Sequence, residues 1–225
     1  MSEGPRFPDR RHVVEPDCSR CGALSEDRTH ISWGTGPLDA DVMVVGEAPA
    51  AGDPEADRWR GGNWTGKAYT SRHSGRRIRR LFADLGYGDR CYYTNAVKCF
   101  PRDRDAETIT NREPTREERA TCRAHLQTEI DRIDPTVICP TGRHATASVF
   151  ALGDRDLDGF LESVLEATEM GIEVAEVGFE SIGGRIDTTI IPLLHPAYQD
   201  VWRARLGYDD DEYRAAIAEA LSAVL

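Results

Sequence analysis

The chain has 225 residues, enough for one domain of good size or two small ones, and a core of that size needs no disulfide or metal to be viable. It carries 39 acidic against 28 basic side chains, has no run of 18 apolar residues and opens on MSEGPRFPDRRH without an apolar leader, so neither a membrane span nor an export signal is expected. The net charge of −11 does not exclude nucleic acid, because acidic surfaces also suit life at high salt, where phosphate attraction is screened and useful cations must be locally concentrated.

In chain order, the first feature is Cys18-x2-Cys21 in an irregular stretch. A C-x2-C knuckle places two thiolates on one ion or cluster, and alone it supplies half a site. Residues 41–48 (DVMVVGEA) follow as the first apolar, β-branched run, with 91–98 (CYYTNAVK), 136–142 (TVICPTG) and 188–195 (TTIIPLLH) as the others. Near-continuous hydrophobicity over so few residues is the mark of strands covered on both faces. Helical patterns lie between them at 74–86, 114–133 and 142–152, with a last one at 209–225 that opens on acids suited to a helix N-terminus. Residues 173–187 are expected to add a hairpin before the last strand. Strand alternating with helix predicts an α/β fold, a three-layer αβα sandwich around a four-stranded, mainly parallel sheet, as a single domain over residues 1–225.

In such sheets function gathers at the carboxyl ends of the strands. Three of the four runs end in unusual chemistry there: GEAPAAG, TNAVKCF and LLHPAY. Asn95 can present a donor and an acceptor side by side, the pairing that reads a nucleobase edge, although a buried Asn capping a neighbouring loop is the blander reading. His195 stands at a strand mouth with Pro196 fixing the backbone after it, and a structural histidine is the alternative. Glu47 follows Gly46, which permits close backbone approach, and is suited to orient water or face a developing cation, or is a plain loop acid. Tyr69, in the Gly/Ser/Thr-rich stretch 62–75, could stack on a flat ligand or simply pack its loop. Cys99 and Cys122 could complete a four-thiolate set with Cys18 and Cys21, whereas Cys91 and Cys139 read as small buried apolar residues. Spacing alone leaves open whether the cysteines are related and whether zinc or iron is the ligand.

Several of these stretches together resemble the uracil-DNA glycosylase superfamily, most closely its iron–sulfur families 4 and 5, over roughly residues 15–205. GEAPA resembles the Gly-x-x-Pro turn of the first motif, with Glu47 in the family 4 manner and Ala50 in that of family 5. GNWTGKAYTSRHSG is similar to a family 5 loop, TNAVKC to the family 4 stretch I-T-N-x-V-K-C, and HPAY to its His-Pro motif. The resemblance implies a glycosylase that hydrolyses the N-glycosidic bond of uracil in single- or double-stranded DNA, as a cytoplasmic monomer. It implies a 4Fe–4S cluster on Cys18, Cys21, Cys99 and Cys122, with an N-terminal cluster segment at about 15–35. It also implies that Asn95 reads the uracil edge, Tyr69 stacks on the base, and His195 bonds uracil O2, with Gly46 and Ala48 lining the substrate and Glu47 serving catalysis. A cluster-bearing DNA-binding protein without turnover, or a glycosylase of broader deaminated-base range, are the alternatives.

The chain also departs from the pattern. No Asp stands at position 48, where the best-known branch of the superfamily places one. Asp53, Glu55 and Asp57 are candidates for excluding the thymine methyl, and Val201 or Trp202 for the wedge that fills the hole left by a flipped base. PRDRDAETITNRE is read as replacing the family's P-x-N-R loop, and Lys67, Arg72, Arg76, Arg102 and Arg203 as candidate phosphate partners.

Overall fold

The structure, a computed structural model, describes residues 4–157, 159, 175–181 and 184–225. Its centre is strand β1 (Val42–Gly46), buried along its whole length and flanked in parallel by β2 (Cys91–Asn95) and β3 (Val137–Pro140). β5 (Gly184–Ile190) pairs in parallel with β3, and β4 (Ala175–Ser181) pairs antiparallel with β5, giving a five-stranded sheet in the order β2-β1-β3-β5-β4. The expected four parallel strands are present, and β4 is an added edge. The hairpin does not precede the last strand as expected; its second arm is that strand, which lies earlier than 188–195. Beyond β5 the chain stays alongside β3 as far as Leu193: the Ile191 and Leu193 N–H groups donate to the Ile138 and Pro140 carbonyls at 2.9 and 2.8 Å, while Pro192 between them has no N–H to offer.

Side chains alternate along β1 and β2 and so feed two cores. Val42, Val44 and Tyr93 face Ile78 and Phe82 of α3 (Ser74–Asp84) and Tyr213 and Ile217 of the C-terminal helix. Met43, Val45 and Tyr92 face Leu126 and Ile130 of α4 (Arg116–Ile133) and Val149 of α5 (Arg143–Phe150). That two-sided burial produces the three layers. Short helices α1 (Gly22–Asp27) and α2 (Gly62–Thr65) lie in the N-terminal and loop segments, and α6 (Gln199–Leu206) precedes α7 (Asp210–Val224).

Two helix starts are set by side chains. Thr115 and Glu118 form a capping box at α4, and Asp209 and Glu212 form one at α7. Each satisfies two backbone N–H groups that would otherwise be orphaned, which places the helices against the sheet with defined ends. Among the described residues no helix is long and apolar enough to cross a membrane.

Candidate active site and cysteine centre

A crevice of about 780 Å³ opens at the carboxyl ends of the strands and gathers Gly46, Glu47, Ala48, Tyr69, Asn95 and His195. Gly46 makes this possible. A Cβ there would collide with Asn95 Oδ1 and lie 3.0 Å from Tyr69 Oη, so only glycine lets both side chains come up against the end of β1. Asn95 is 4% exposed, and its side-chain amide has no hydrogen-bond partner among the described residues. The amide faces the crevice, so its donor and acceptor are left for whatever enters there.

Tyr69 has φ of 52°, an unusual value for a bulky residue. Its surroundings hold it there. Buried Arg79 donates from Nε to the Tyr69 carbonyl at 2.9 Å and from Nη2 to Thr35 Oγ1 at 2.6 Å, and stacks 4.1 Å over the Tyr93 ring. The Tyr69 hydroxyl shares a 2.7 Å hydrogen bond with Thr141. Burial pushes the phenol pKa up and that of the Arg79 guanidinium down to about 10, so the tyrosine stays neutral.

His195 sits against Gly142, whose φ of +85° and close approach leave no room for a side chain. The Ala197 N–H donates to His195 Nδ1 at 3.2 Å. Burial, helped by neighbouring His144, pushes the imidazole pKa down. The ring is therefore neutral, with its proton on Nε2, a donor that has no protein acceptor among the described residues. Burial raises the pKa of the Glu47 carboxyl, opposed by His144 and Arg119 and reinforced by Glu113. His144 Nε2 lies 3.1 Å from Glu113, and both line the crevice.

The loop carrying Glu47 is clamped by a residue that sequence reading missed. Asn111 accepts from the Ala51 N–H at 2.9 Å and donates to the Pro49 carbonyl at 2.9 Å. Arg102 pairs with Asn111, the Asp103 N–H reaches the Thr110 carbonyl at 2.9 Å, and the Arg112 N–H returns to Pro101 at 2.9 Å. Residues 103–110 form an excursion whose ends rejoin, and Arg112 then forks onto Glu118 at 2.8 and 2.6 Å. The chain TNRE at 110–113 was the available signal.

Other expected residues fall elsewhere. None of Asp53, Glu55 and Asp57 lines the crevice, whose carboxylates among the described residues are Glu47 and Glu113. Trp202 lines the crevice and also packs against the core, with Arg205 4.8 Å over its ring; Tyr198, 62% exposed, lines it too, whereas Val201, 59% exposed, does not. Lys67 is turned away onto the Pro8 and Asp9 carbonyls, and Arg203 pairs with Asp210. Arg72, Arg76 and Arg102 are exposed.

The second centre holds Cys18, Cys21, Cys99 and Cys122, which together line one small cavity with Leu24, Ile31 and His125. All four are free thiols, while Cys91 and Cys139 are wholly buried in the sheet core as expected. Nitrogen groups point at the sulfurs: Arg28 Nη1 to Cys99 at 3.1 Å, the Lys98 N–H to Cys122 at 3.3 Å, and His125 Nε2 against Cys18 at 3.3 Å. Burial pushes Cys122 up to about 12 and raises Cys21 and Cys99, so the bare thiols are protonated and a bound cation would have to displace those protons. Four converging sulfurs, unbridged and with N–H donors aimed at them, fit a thiolate-held metal or cluster. Among the described residues, the group of His, Cys and acid side chains whose donor atoms all lie within 4.8 Å of one another is Glu15, Cys18 and His125, although Glu15 already takes Arg20 at 2.6 Å; the four cysteines share a cavity at wider spacing.

Lys98 joins the two sites. Its backbone bonds Cys122, while its fully buried ammonium donates to the Asn95 carbonyl at 2.6 Å, to Thr94 at 2.8 Å and to Glu129. Glu129 also accepts from Tyr92 at 3.0 Å, Thr94 at 2.7 Å and the Gly34 N–H at 3.2 Å, so the buried pair is fully hydrogen-bonded.

Against known proteins, residues 33–222 match the family model described as Uracil DNA glycosylase superfamily. The chain is 31% identical over 189 residues to the Type-4 uracil-DNA glycosylase of Thermotoga maritima, covering 83% of this chain and 81% of that protein. It is 32% identical over 136 residues to the Type-4 uracil-DNA glycosylase of Sulfurisphaera tokodaii, 60% of this chain and 54% of that protein. It is 29% identical over 165 residues to the Type-5 uracil-DNA glycosylase of Pyrobaculum aerophilum, 60% of this chain and 66% of that protein. The chain belongs to the uracil-DNA glycosylase superfamily.

Proposed function

We propose, from that membership, that this chain hydrolyses the N-glycosidic bond of uracil in DNA and leaves free uracil and an abasic site. The observation that carries the reading is the pairing of an unpartnered, buried Asn95 amide with a neutral His195 whose Nε2–H is free, both lining one crevice.

A base in a duplex is out of reach of such a crevice and must be extruded, at a cost of a few kcal/mol. Asn95 then offers an N–H to uracil O4 and its carbonyl to N3–H. Cytosine reverses that pattern and leaves buried groups unpaired, a discrimination that can reach about 10⁴-fold. Tyr69, held against the end of β1, forms a wall of the base pocket. As the glycosidic bond breaks, negative charge builds on uracil O2, and His195 Nε2–H stabilises it in the manner of an oxyanion hole. The neutral ring fills this role with a fixed geometry, because Nδ1 accepts the Ala197 N–H while Nε2–H is left to donate. Glu47, its loop clamped by Asn111, faces the developing sugar cation or orients the attacking water. Ala48 and Gly46 bring the backbone of that turn close to the base. Val201 or Trp202 supplies the wedge, with Tyr198 beside them at the crevice.

We also assign Cys18, Cys21, Cys99 and Cys122 as ligands of a 4Fe–4S cluster. The group would pin the N-terminal knuckle to the segment that follows Asn95, a structural service that requires no electron transfer. The chain is proposed to act as a monomer on single- or double-stranded DNA.

The test is release of free uracil from a uracil-containing strand by purified, iron-loaded protein, read as strand scission after alkali. His195→Ala and Asn95→Ala are each expected to lower the single-turnover rate about 10²–10³-fold. An uncut strand sinks the activity. Full rates in both variants sink the site assignment while leaving the activity intact. Hypoxanthine and xanthine substrates in the same assay define the base range.

A further inference from the structure

Beside the crevice lies a second groove of about 680 Å³, which shares Ser74 and Pro196 with it. Its ionisable lining is basic throughout: Arg72, His73, Arg76, Arg77 and Arg80. In a chain of net charge −11, residues 72–80 hold five arginines and no acid. One of the five, Arg79, turns inward to hold Tyr69, and the other four face the groove. Acids at its edge are Asp200, which takes Arg77 in a two-pronged pair at 3.0 and 2.5 Å, and Asp84, 3.9 Å from Arg80. Arg72 and Arg76 are exposed and have no ion-pair partner among the described residues; Arg76 is instead steadied 5.7 Å over the Trp59 ring.

Concentrated positive charge of this kind opposes the charge of the rest of the molecule, so its clustering needs a partner that rewards it. A groove with cationic walls, continuous with a crevice that takes an extruded base, matches a chain of phosphates. We propose that this groove is the track for the sugar–phosphate backbone of the substrate strand flanking the extruded nucleotide, with Arg72 and Arg76 as its principal phosphate contacts. The proposal rests on the reading of the crevice as a base pocket. Arg77, neutralised by Asp200 and bonded to the Pro196 carbonyl at 3.2 Å, braces the groove wall next to His195 and is not one of the contacts.

The assignment is tested with the full-length, iron-loaded protein and fluorescently labelled DNA strands, one carrying uracil and one without it. Affinity is measured by anisotropy across a salt series for the wild type, for Arg72→Gln/Arg76→Gln, and for Arg132→Gln, an exposed arginine of α4 at the opposite, amino-terminal end of the strands. Loss of two phosphate contacts on a single strand is expected to reduce the slope of log affinity against log salt by about 1.4. Affinity for both strands should fall about tenfold or more near 0.1 M salt. Arg132→Gln, outside the groove and the crevice, should keep both affinity and the single-turnover excision rate within about twofold of wild type. An unchanged slope in the double variant, or an equal loss in Arg132→Gln, overturns the groove. Binding does not depend on excision: a protein that binds with the predicted slopes but leaves uracil in place keeps the groove and refutes the activity. A protein that excises uracil with an unaltered slope does the reverse.

Discussion

The crevice and the cysteine centre draw on one stretch of chain, residues 94–99, yet they treat polar groups in opposite ways. In the crevice, Asn95 and His195 keep hydrogen-bonding capacity that no group among the described residues uses. In the cysteine centre, each sulfur of Cys18, Cys99 and Cys122 already faces a nitrogen, and Leu24 and Ile31 close the space around them. Unspent capacity marks a place built for a transient partner, whose groups must be met and released. Four thiols gathered around one cavity, two of them buried and two half-buried, suit the permanent group proposed above. Lys98 spans the two, and its buried charge is tolerable only because Glu129, Thr94 and the Asn95 carbonyl all engage it.

The harshest way to break the comparison is Cys122→Ser. The protein is expected to lose bound iron and the absorbance of thiolate-bound iron, and to unfold at least about 10 °C lower, since metal-coupled folding energies are of order 10 kcal/mol. Retention of iron with an unchanged thermal midpoint would remove Cys122 from the ligand set. Next comes Lys98→Met, which leaves Glu129 buried and unpaired and should cost about 3–5 kcal/mol in denaturant unfolding. Combining it with Glu129→Leu should recover most of that loss, and failure to recover would show that the pair is not an isolated unit.

The crevice answers to pH instead. Because burial holds the His195 pKa below its ordinary value, the neutral donor persists under mild acid, and the acid limb of the single-turnover rate should lie below pH 6.5. The sign agrees with stability: a depressed histidine contributes stability that is fully present above the unfolded pKa and is lost as pH falls through the folded one. A rate already falling well above pH 6.5 would contradict a neutral ring. The mildest effect belongs to Glu47. Its raised pKa means that the native state is disfavoured once pH climbs through that value, so Glu47→Gln should raise the thermal midpoint at pH 7 by roughly 2 °C while excision slows. A lower midpoint would mean that the carboxylate is structurally engaged.

Much of the fold was legible because its signals are local. Short β-branched runs separated by helical spacing gave four parallel strands, three in the right places and the last a few residues late, and the cysteine pattern named four thiols that do share one cavity. Asn95, Glu47 and His195 were legible because they lie at or just beyond strand ends, Asn95 closing β2, Glu47 following β1 and His195 a few residues past β5, and strand ends converge. Asn111 was hidden because residues 103–110 separate it from Pro101, and only the pairing of Arg102 with Asn111 shows that the excursion closes on itself. Glu129 and His125 were hidden for a different reason. On α4 they look like the polar face of an amphipathic helix, but they are buried, and the partners that make this affordable come from β2 and the N-terminal knuckle.

By itself, then, the sequence determined which segments become strands, which residues stand at their ends and which sulfurs are available, because hydrophobic period and motif spacing act over a few residues. Tertiary structure alone decided that the Asn95 amide has no protein partner, that the Ala197 N–H leaves the His195 proton on Nε2, and that four arginines of one segment wall a single groove. Those outcomes depend on groups distant in the chain meeting at fixed distances in a packed interior, and such meetings leave no mark in local spacing.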